Sequence, residues 1–235
     1  MLVVCSCCCT LLQITRWKDL RVLMKTPRLI TFDIFGTVLD WRSGLEHACA
    51  AAGRPLGPGE FDRIVDLQAE LEHHQFLTYA EITRRSLVRA IGLEDGRAAE
   101  IGRAVGRWPL YADSRDALRA LMRITRCAAM TNSDRDHGEQ VQEQLGFRLN
   151  DWLCAEDARV YKPAAAFWDV MARRTGIEPG SEWWHASAYA DYDLATANSL
   201  GLTTVFVKRP HARPGDAKYS VENLTQLTEL FSAAR

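Results

Sequence analysis

The 235-residue chain lacks an excess of either charge: 29 Lys and Arg stand against 30 Asp and Glu, a formal net charge of -1. A surface that tracks nucleic-acid phosphates needs a clear basic excess, so no nucleic-acid partner is expected. No run approaches 18 consecutive apolar residues, which excludes a spanning helix, and no membrane partner is expected. No fixed period recurs, which excludes solenoid and collagen-like arrays. Apolar material is not scarce, however. Hydrophobic residues make up 47% and charged residues 25%, enough to offset chain entropy and argue against intrinsic disorder. The length suits one core domain with a modest insertion.

Cysteine is unevenly spread. Cys5, Cys7, Cys8 and Cys9 crowd the start, with no second, distant pair to complete a tetrahedral metal site. Cys49, Cys127 and Cys154 are scattered in apolar surroundings. They read as buried core thiols of a reducing compartment, here the cytoplasm. The apolar run Leu2 to Ile14 precedes Arg16, Lys18, Arg21 and Lys25, the reverse of a secretory signal. Residues 1–25 therefore read as a poorly ordered extension, with Met24 as an alternative start.

Beyond it, strands and helices alternate. Leu29 to Phe32 is a β-prone run stopped by Asp33, Gly36 and Thr37. Trp41 to Ala52 has helical spacing, and Gly53 to Gly59 is rich in breakers. From Glu60 to Arg107 the pattern is helical throughout, punctuated at Gly92 and Gly102. Asp113 and Ser114 are suited to cap a helix ending near Met122. Cys127–Thr131, Trp152–Cys154, Trp183–Ala186 and Thr203–Val207 read as strands. Helices separate them: one from Asp134 to Gly146, one with Pro163 in its first turn, and one from Asp193 to Leu200. The expected fold is α/β: a Rossmann-like parallel sheet covered by helices on both faces, with an inserted helical cap. The core takes residues 26–40 and 109–235, the cap residues 41–108.

In such sheets, sites lie at the carboxyl ends of the strands. Asp33, Thr131 and Asn132, Lys162, then Ser187, Tyr189, Asp191 and Asp193 fall there in turn. Singly, each has an ordinary role as a cap, a turn residue or a surface charge. Jointly they suit nucleophilic chemistry. A carboxylate kept ionised and oriented by a cation attacks, Lys162 is that cation, and Asp193 holds Lys162. Thr131 and Asn132 can donate hydrogen bonds to a substrate.

Phe32-Asp33-Ile34-Phe35-Gly36-Thr37-Val38-Leu39-Asp40 resembles the first motif of the haloacid dehalogenase superfamily. Thr131-Asn132 resembles its second, Lys162-Pro163 its third, and Asp193 to Gly201 the helix of its fourth. The order fits from about Arg28 to Val207. Most members are magnesium-dependent phosphotransferases with a second Asp two residues after the nucleophile; here that position is Phe35. The resemblance instead points to the 2-haloacid dehalogenase branch. It implies Asp33, Lys162 and Asp193 as catalytic residues and an aspartyl ester on Asp33, formed from a small 2-haloacid and hydrolysed to the 2-hydroxyacid. It implies no metal and no cofactor.

The chain departs from that branch twice. The stretch Leu67 to Glu72 lacks the arginine expected to meet the leaving halide. Arg42, Arg63 and Arg84 are the alternatives and nothing in the sequence separates them; we place Arg42 with the substrate-binding set of Phe35, Thr131, Asn132, Ser187 and Tyr189. The fourth motif typically reads Ser-x-Asn-x-x-Asp, whereas Ser187 stands six residues before Asp193, with Tyr189 in the Asn position. Two other readings stay open: a magnesium-dependent phosphatase with an atypical site, and a catalytically silent binding protein of the same fold. Adjacent His73 and His74 point to different helix faces and read as surface or cap packing, and His185 reads as a core histidine. Lys208 to Pro214 reads as a solvated loop, with a homodimer contact as the alternative.

Overall fold

Residues 25–232 are described by a computed structural model. Most of the expected extension, including the four crowded cysteines, lies outside the described residues. Six parallel strands form the sheet: β1 (Leu29–Phe32), β2 (Arg126–Thr131), β3 (Asp151–Cys154), β4 (Trp183–Ser187), β5 (Thr203–Val207) and β6 (Tyr219–Val221). Their order is β3-β2-β1-β4-β5-β6. Every residue of β1 and β4 is buried. Successive strand side chains face opposite ways, so complete burial means that both faces of the sheet are covered. Phe32 pairs with Ala129 on one side and Ala186 on the other, which sets the carboxyl ends of β1, β2 and β4 level. Strands β1 to β3 are added in one direction, then β4 is laid on the opposite side of β1. That reversal opens a crevice beyond the strand ends.

The interval between β1 and β2 is helical, as its periodicity predicts. It holds α1 (Trp41–Ala51), α2 (Glu60–His74), α3 (Tyr79–Ile91), α4 (Asp95–Arg103) and a 3₁₀ turn, Val105–Arg107. Thr78 caps α3 by accepting from the Glu81 amide at 3.3 Å, and left-handed Gly92 ends it. Gly102 lies in the last turn of α4, which ends at Arg103, and packs directly on the Ala80 carbonyl. These helices dock on the core through polar contacts. Asp134 accepts from the Tyr79 and Ala80 amides at 2.6 and 2.9 Å, and His137 Nε2 donates to the Gly102 carbonyl at 2.8 Å.

The remaining helices are α5 (Ser114–Leu121), α6 (Arg135–Leu145), α7 (Ala155–Ala158), α8 (Ala165–Thr175), α9 (Ala195–Ser199) and α10 (Leu224–Ser232). Four local expectations change. Asp113 precedes α5 and Ser114 opens it, and neither caps it through its side chain. Asp113 accepts from Arg209 Nη1 at 2.8 Å and from the Leu224 amide at 2.6 Å, while the Ser114 hydroxyl donates to the Val38 carbonyl at 2.7 Å. Arg209 is buried in that ion pair, so the basic loop is only partly solvated. Pro163 precedes α8 by two residues and follows a cis peptide bond. The helix expected from Asp193 begins earlier, as a π turn over Ala190–Leu194. Short β6 and the final helix carry no expectation from the sequence. Cys49, Cys127 and Cys154 are free and buried. Among the described residues no helix is long and apolar enough to cross a membrane.

Candidate active site

Asp33 directly follows β1. Its amide donates to the Ala186 carbonyl at 3.0 Å, continuing the ladder before the chain turns. The turn needs Gly36: its φ is +91°, and an added Cβ would stand 2.1 Å from the Tyr189 hydroxyl. Thr37 then folds back, and its hydroxyl donates to Asp33 Oδ2 at 2.7 Å. The other carboxylate oxygen accepts from Lys162 Nζ at 2.9 Å, and the same ammonium donates to Asp193 Oδ2 at 2.8 Å. Lys162 and Asp193 are wholly buried and Asp33 nearly so. The three residues expected to act together are thus one buried ion network.

Each member is held by its surroundings. Asn132 clamps the backbone of Lys162: its Oδ1 accepts from the Lys162 amide at 2.7 Å, and its Nδ2 donates to the Lys162 carbonyl at 2.9 Å. Most of its hydrogen-bonding capacity is therefore spent on position. Thr131 donates to the Ser133 hydroxyl at 3.3 Å. His185 Nε2 lies 3.1 Å from Asp193 Oδ2, and its Nδ1 lies 2.8 Å from the Thr31 hydroxyl. The core histidine expected at 185 therefore touches the ion network.

The π turn explains how Asp193 arrives there. Counted from Ser187, the chain carries one residue more than the fourth-motif pattern. A π turn closes on the residue five back rather than four and so absorbs one extra residue. Here the Leu194 amide reaches the Tyr189 carbonyl at 3.3 Å. The helix resumes in register and Asp193 still meets Lys162.

Burial raises the Asp33 pKa above 3.8 and Asp193 adds to this, against the opposing pull of Lys162 and Thr37. Burial also disfavours the charge on Lys162. The carboxylates of Asp193 and Asp33 outweigh it and raise the lysine. Asp193 is held below its usual range: burial works against ionisation, but Lys162 and His185 prevail. The network therefore keeps a charged ammonium between its two carboxyls.

The network opens on a cavity of about 680 Å³. Of the expected residues, Asp33, Phe35, Thr131, Asn132, Lys162 and Tyr189 line it. Ser187 does not; it is buried and accepts from the Tyr189 amide at 3.0 Å. Arg42 is placed elsewhere. It pairs with Glu46 at 3.0 Å, lies over Phe61, and faces a neighbouring cavity. Arg84 is engaged by Glu81 and Asp95.

The arginine in the main cavity is Arg213, from the loop after β5. Backbone bonds to Ala188 and Ala190, both 2.8 Å, fix it beside the π turn, and Asp191 pairs with it at 2.6 Å. Sequence reasoning missed it because nothing local links that loop to the fourth motif. It also missed Gln68 and Glu72. Their signal was present: Val65, Gln68, Ala69 and Glu72 share one face of α2, so two polar residues interrupt an otherwise apolar stripe. Glu72 lies 3.5 Å from Asn132 Nδ2, and burial pushes its carboxyl up to about 8 against Lys162 and Asn132.

The donor set does not fit magnesium, which needs several hard oxygens in octahedral array. Phe35 replaces one carboxylate, Asp193 faces Lys162 and His185, and Asp191 is paired with Arg213. Among the described residues no group of three His, Cys, Asp or Glu is arranged to hold a metal.

The parallel α/β sheet carries its buried Asp–Lys–Asp network at the reversal point, where sites of such folds lie. A family model of haloacid dehalogenase-like hydrolases matches residues 27–182, and the chain belongs to this family. It is 25% identical over 224 residues to the (S)-2-haloacid dehalogenase 4A of Burkholderia cepacia, covering 87% of this chain and 95% of that protein. The fold matches an L-2-haloacid dehalogenase at 26% identity and a TM-score of 0.76, over 88% of this chain and all of that one. It also matches the L-2-haloacid dehalogenase of Xanthobacter autotrophicus with chloropropionic acid covalently bound (17% identity, TM-score 0.72, 87% and 98% covered), a likeness of fold.

Proposed function

We propose that the protein is a metal-independent 2-haloacid dehalogenase, converting a 2-haloacid and water to a 2-hydroxyacid and halide. The carrying observation is the Asp33 carboxylate, held at 2.9 Å by a buried lysine on the floor of a cavity, with Phe35 where metal chemistry would want a second acid. The names of the relatives support the same reading. An Asp33 oxygen attacks the carbon that bears the halogen. The new C–O bond forms as the C–halogen bond breaks, and the halide leaves with the electron pair. Water then adds to the Asp33 carboxyl carbon, the ester C–O bond breaks, and the hydroxyacid, a proton and free Asp33 result. Thr37 and Lys162 fix one Asp33 oxygen each, so the nucleophile is oriented before substrate arrives. Asn132 acts through Lys162 as a positioning residue, and Arg213 is the cation placed to meet substrate.

The test is halide release from L- and D-2-haloacids in EDTA, with Asp33→Asn as the blank. Release that needs Asp33 and ignores EDTA is expected, with loss in the variant on the order of 10⁶-fold, as when a hydrolase loses its nucleophile. Phosphate release stimulated by magnesium, with no halide release, overturns the reading.

A further inference from the structure

Within the dehalogenase reading, the shape and lining of the cavity identify a class of substrate. A three-carbon haloacid has six non-hydrogen atoms and fills roughly 180 Å³ at about the volume of a water per group. The cavity holds about 680 Å³, in the range of about 300–1,000 Å³ that encloses much larger ligands. Its polar groups are unevenly placed. Asp33, Lys162, Asn132 and Glu72 are joined by contacts of 3.5 Å or less. On the helical side, the polar groups of Tyr79 and Gln68 satisfy each other. The Tyr79 hydroxyl donates to Gln68 Oε1 at 3.2 Å, and Gln68 Nε2 donates to the Ser86 hydroxyl at 3.4 Å. Tyr79 then presents its ring, which packs 5.7 Å from the ring of Phe35. Trp41 and Val65 extend the same lining.

We propose that the natural substrate is a 2-haloacid with a bulky, aromatic-sized apolar group on the carbon that bears the halogen. A two- or three-carbon acid leaves the aromatic wall uncovered. A benzyl-sized group covers that wall and buries apolar surface on both sides. Its carboxylate and halogen stay at the polar end, beside Asp33 and Lys162.

This inference rests on the dehalogenase reading, and the experiment separates the two. Halide release is measured for 2-chloropropionate, 2-chlorohexanoate and 2-chloro-3-phenylpropanoate, each as both enantiomers. The expected result is a rise in kcat/KM of about 10- to 100-fold from first to last. Val65→Phe fills the space from α2, and it should lower kcat/KM for the phenyl acid at least tenfold more than for chloropropionate. A flat or falling series in the unmodified protein overturns the inference and leaves the dehalogenase reading standing. Equal losses for both acids in the variant also count against it. No halide from any acid overturns both.

Discussion

The two walls of the site are built differently. The sheet side is a closed ion network: Asp33, Lys162 and Asp193 bind one another, Thr37, Asn132 and His185 brace them, and almost none of it meets solvent. The helical side is lined by the rings of Trp41 from α1 and Tyr79 from α3 and by Val65 and Ala69 from α2; Tyr79 and Gln68 turn their polar groups to one another, and Glu72 stands at the rim of the network. In the proposed reaction one wall fixes the reacting atoms and the other shapes what reaches them. Chemistry is then separated from selectivity, and substitutions on the two sides should fail in different ways.

The largest effect should come from breaking the network at its centre. Lys162→Met leaves two buried carboxyls without their shared cation. Loss of one partner from a buried ion pair costs about 3–5 kcal/mol, so urea denaturation at neutral pH should show a loss of that size along with loss of activity. The deficit should shrink as pH falls, because protonation removes the stranded charge. A variant as stable as the parent would mean that the network is not the rigid wall.

A smaller effect tests where the walls meet. Gly36→Ala places a side chain at φ +91° against the Tyr189 ring and hydroxyl. A cost of about 1–3 kcal/mol is expected, read from the denaturation midpoint. Adding Tyr189→Ala removes the clash but not the backbone strain, so about half of the cost should persist. Full recovery would assign the need for glycine to the tyrosine alone.

These two sites also mark how far the sequence could be read. β1, β2 and β4 were legible because each is a short apolar run ending at a polar residue, and such runs in a parallel sheet put their ends together. With Lys162 in the stretch after β3 as the one cation among these polar residues, Asp33, Lys162 and Asp193 read as neighbours. The π turn was not legible as structure. It appeared only as one residue too many between Ser187 and Asp193, and how the extra residue is absorbed depends on the Tyr189 carbonyl reaching Leu194. Arg42 faces the neighbouring cavity, and nothing in the sequence separates it from Arg63 and Arg84, because helical spacing does not fix which cavity a helix face adjoins. Arg213 enters through a bridge between Tyr189 and its own loop, a long-range pairing with no local pattern. The short β6 is likewise three residues after a Pro-broken loop, too brief to show alternation.

The finest contrast between the walls is electrostatic and falls on Glu72. Its carboxyl faces Lys162 and Asn132 from the core, Tyr79 from α3, Tyr161 from the loop before Lys162, and Tyr192 from the π turn. Burial pushes it up to about 8, so it is neutral below that pH and charged above it. In the proposed reaction a haloacid brings its own carboxylate into the same cavity. As pH rises through 8, a second negative charge develops opposite it, and binding should weaken by about 1 kcal/mol, roughly fivefold in KM. The reacting atoms are untouched, so kcat should change far less than KM. Glu72→Gln stays neutral throughout and should remove the rise in KM while leaving the value at pH 7 within about twofold. A rise that survives in Glu72→Gln would assign the titration to the ion network, and the helical wall would then act by shape alone.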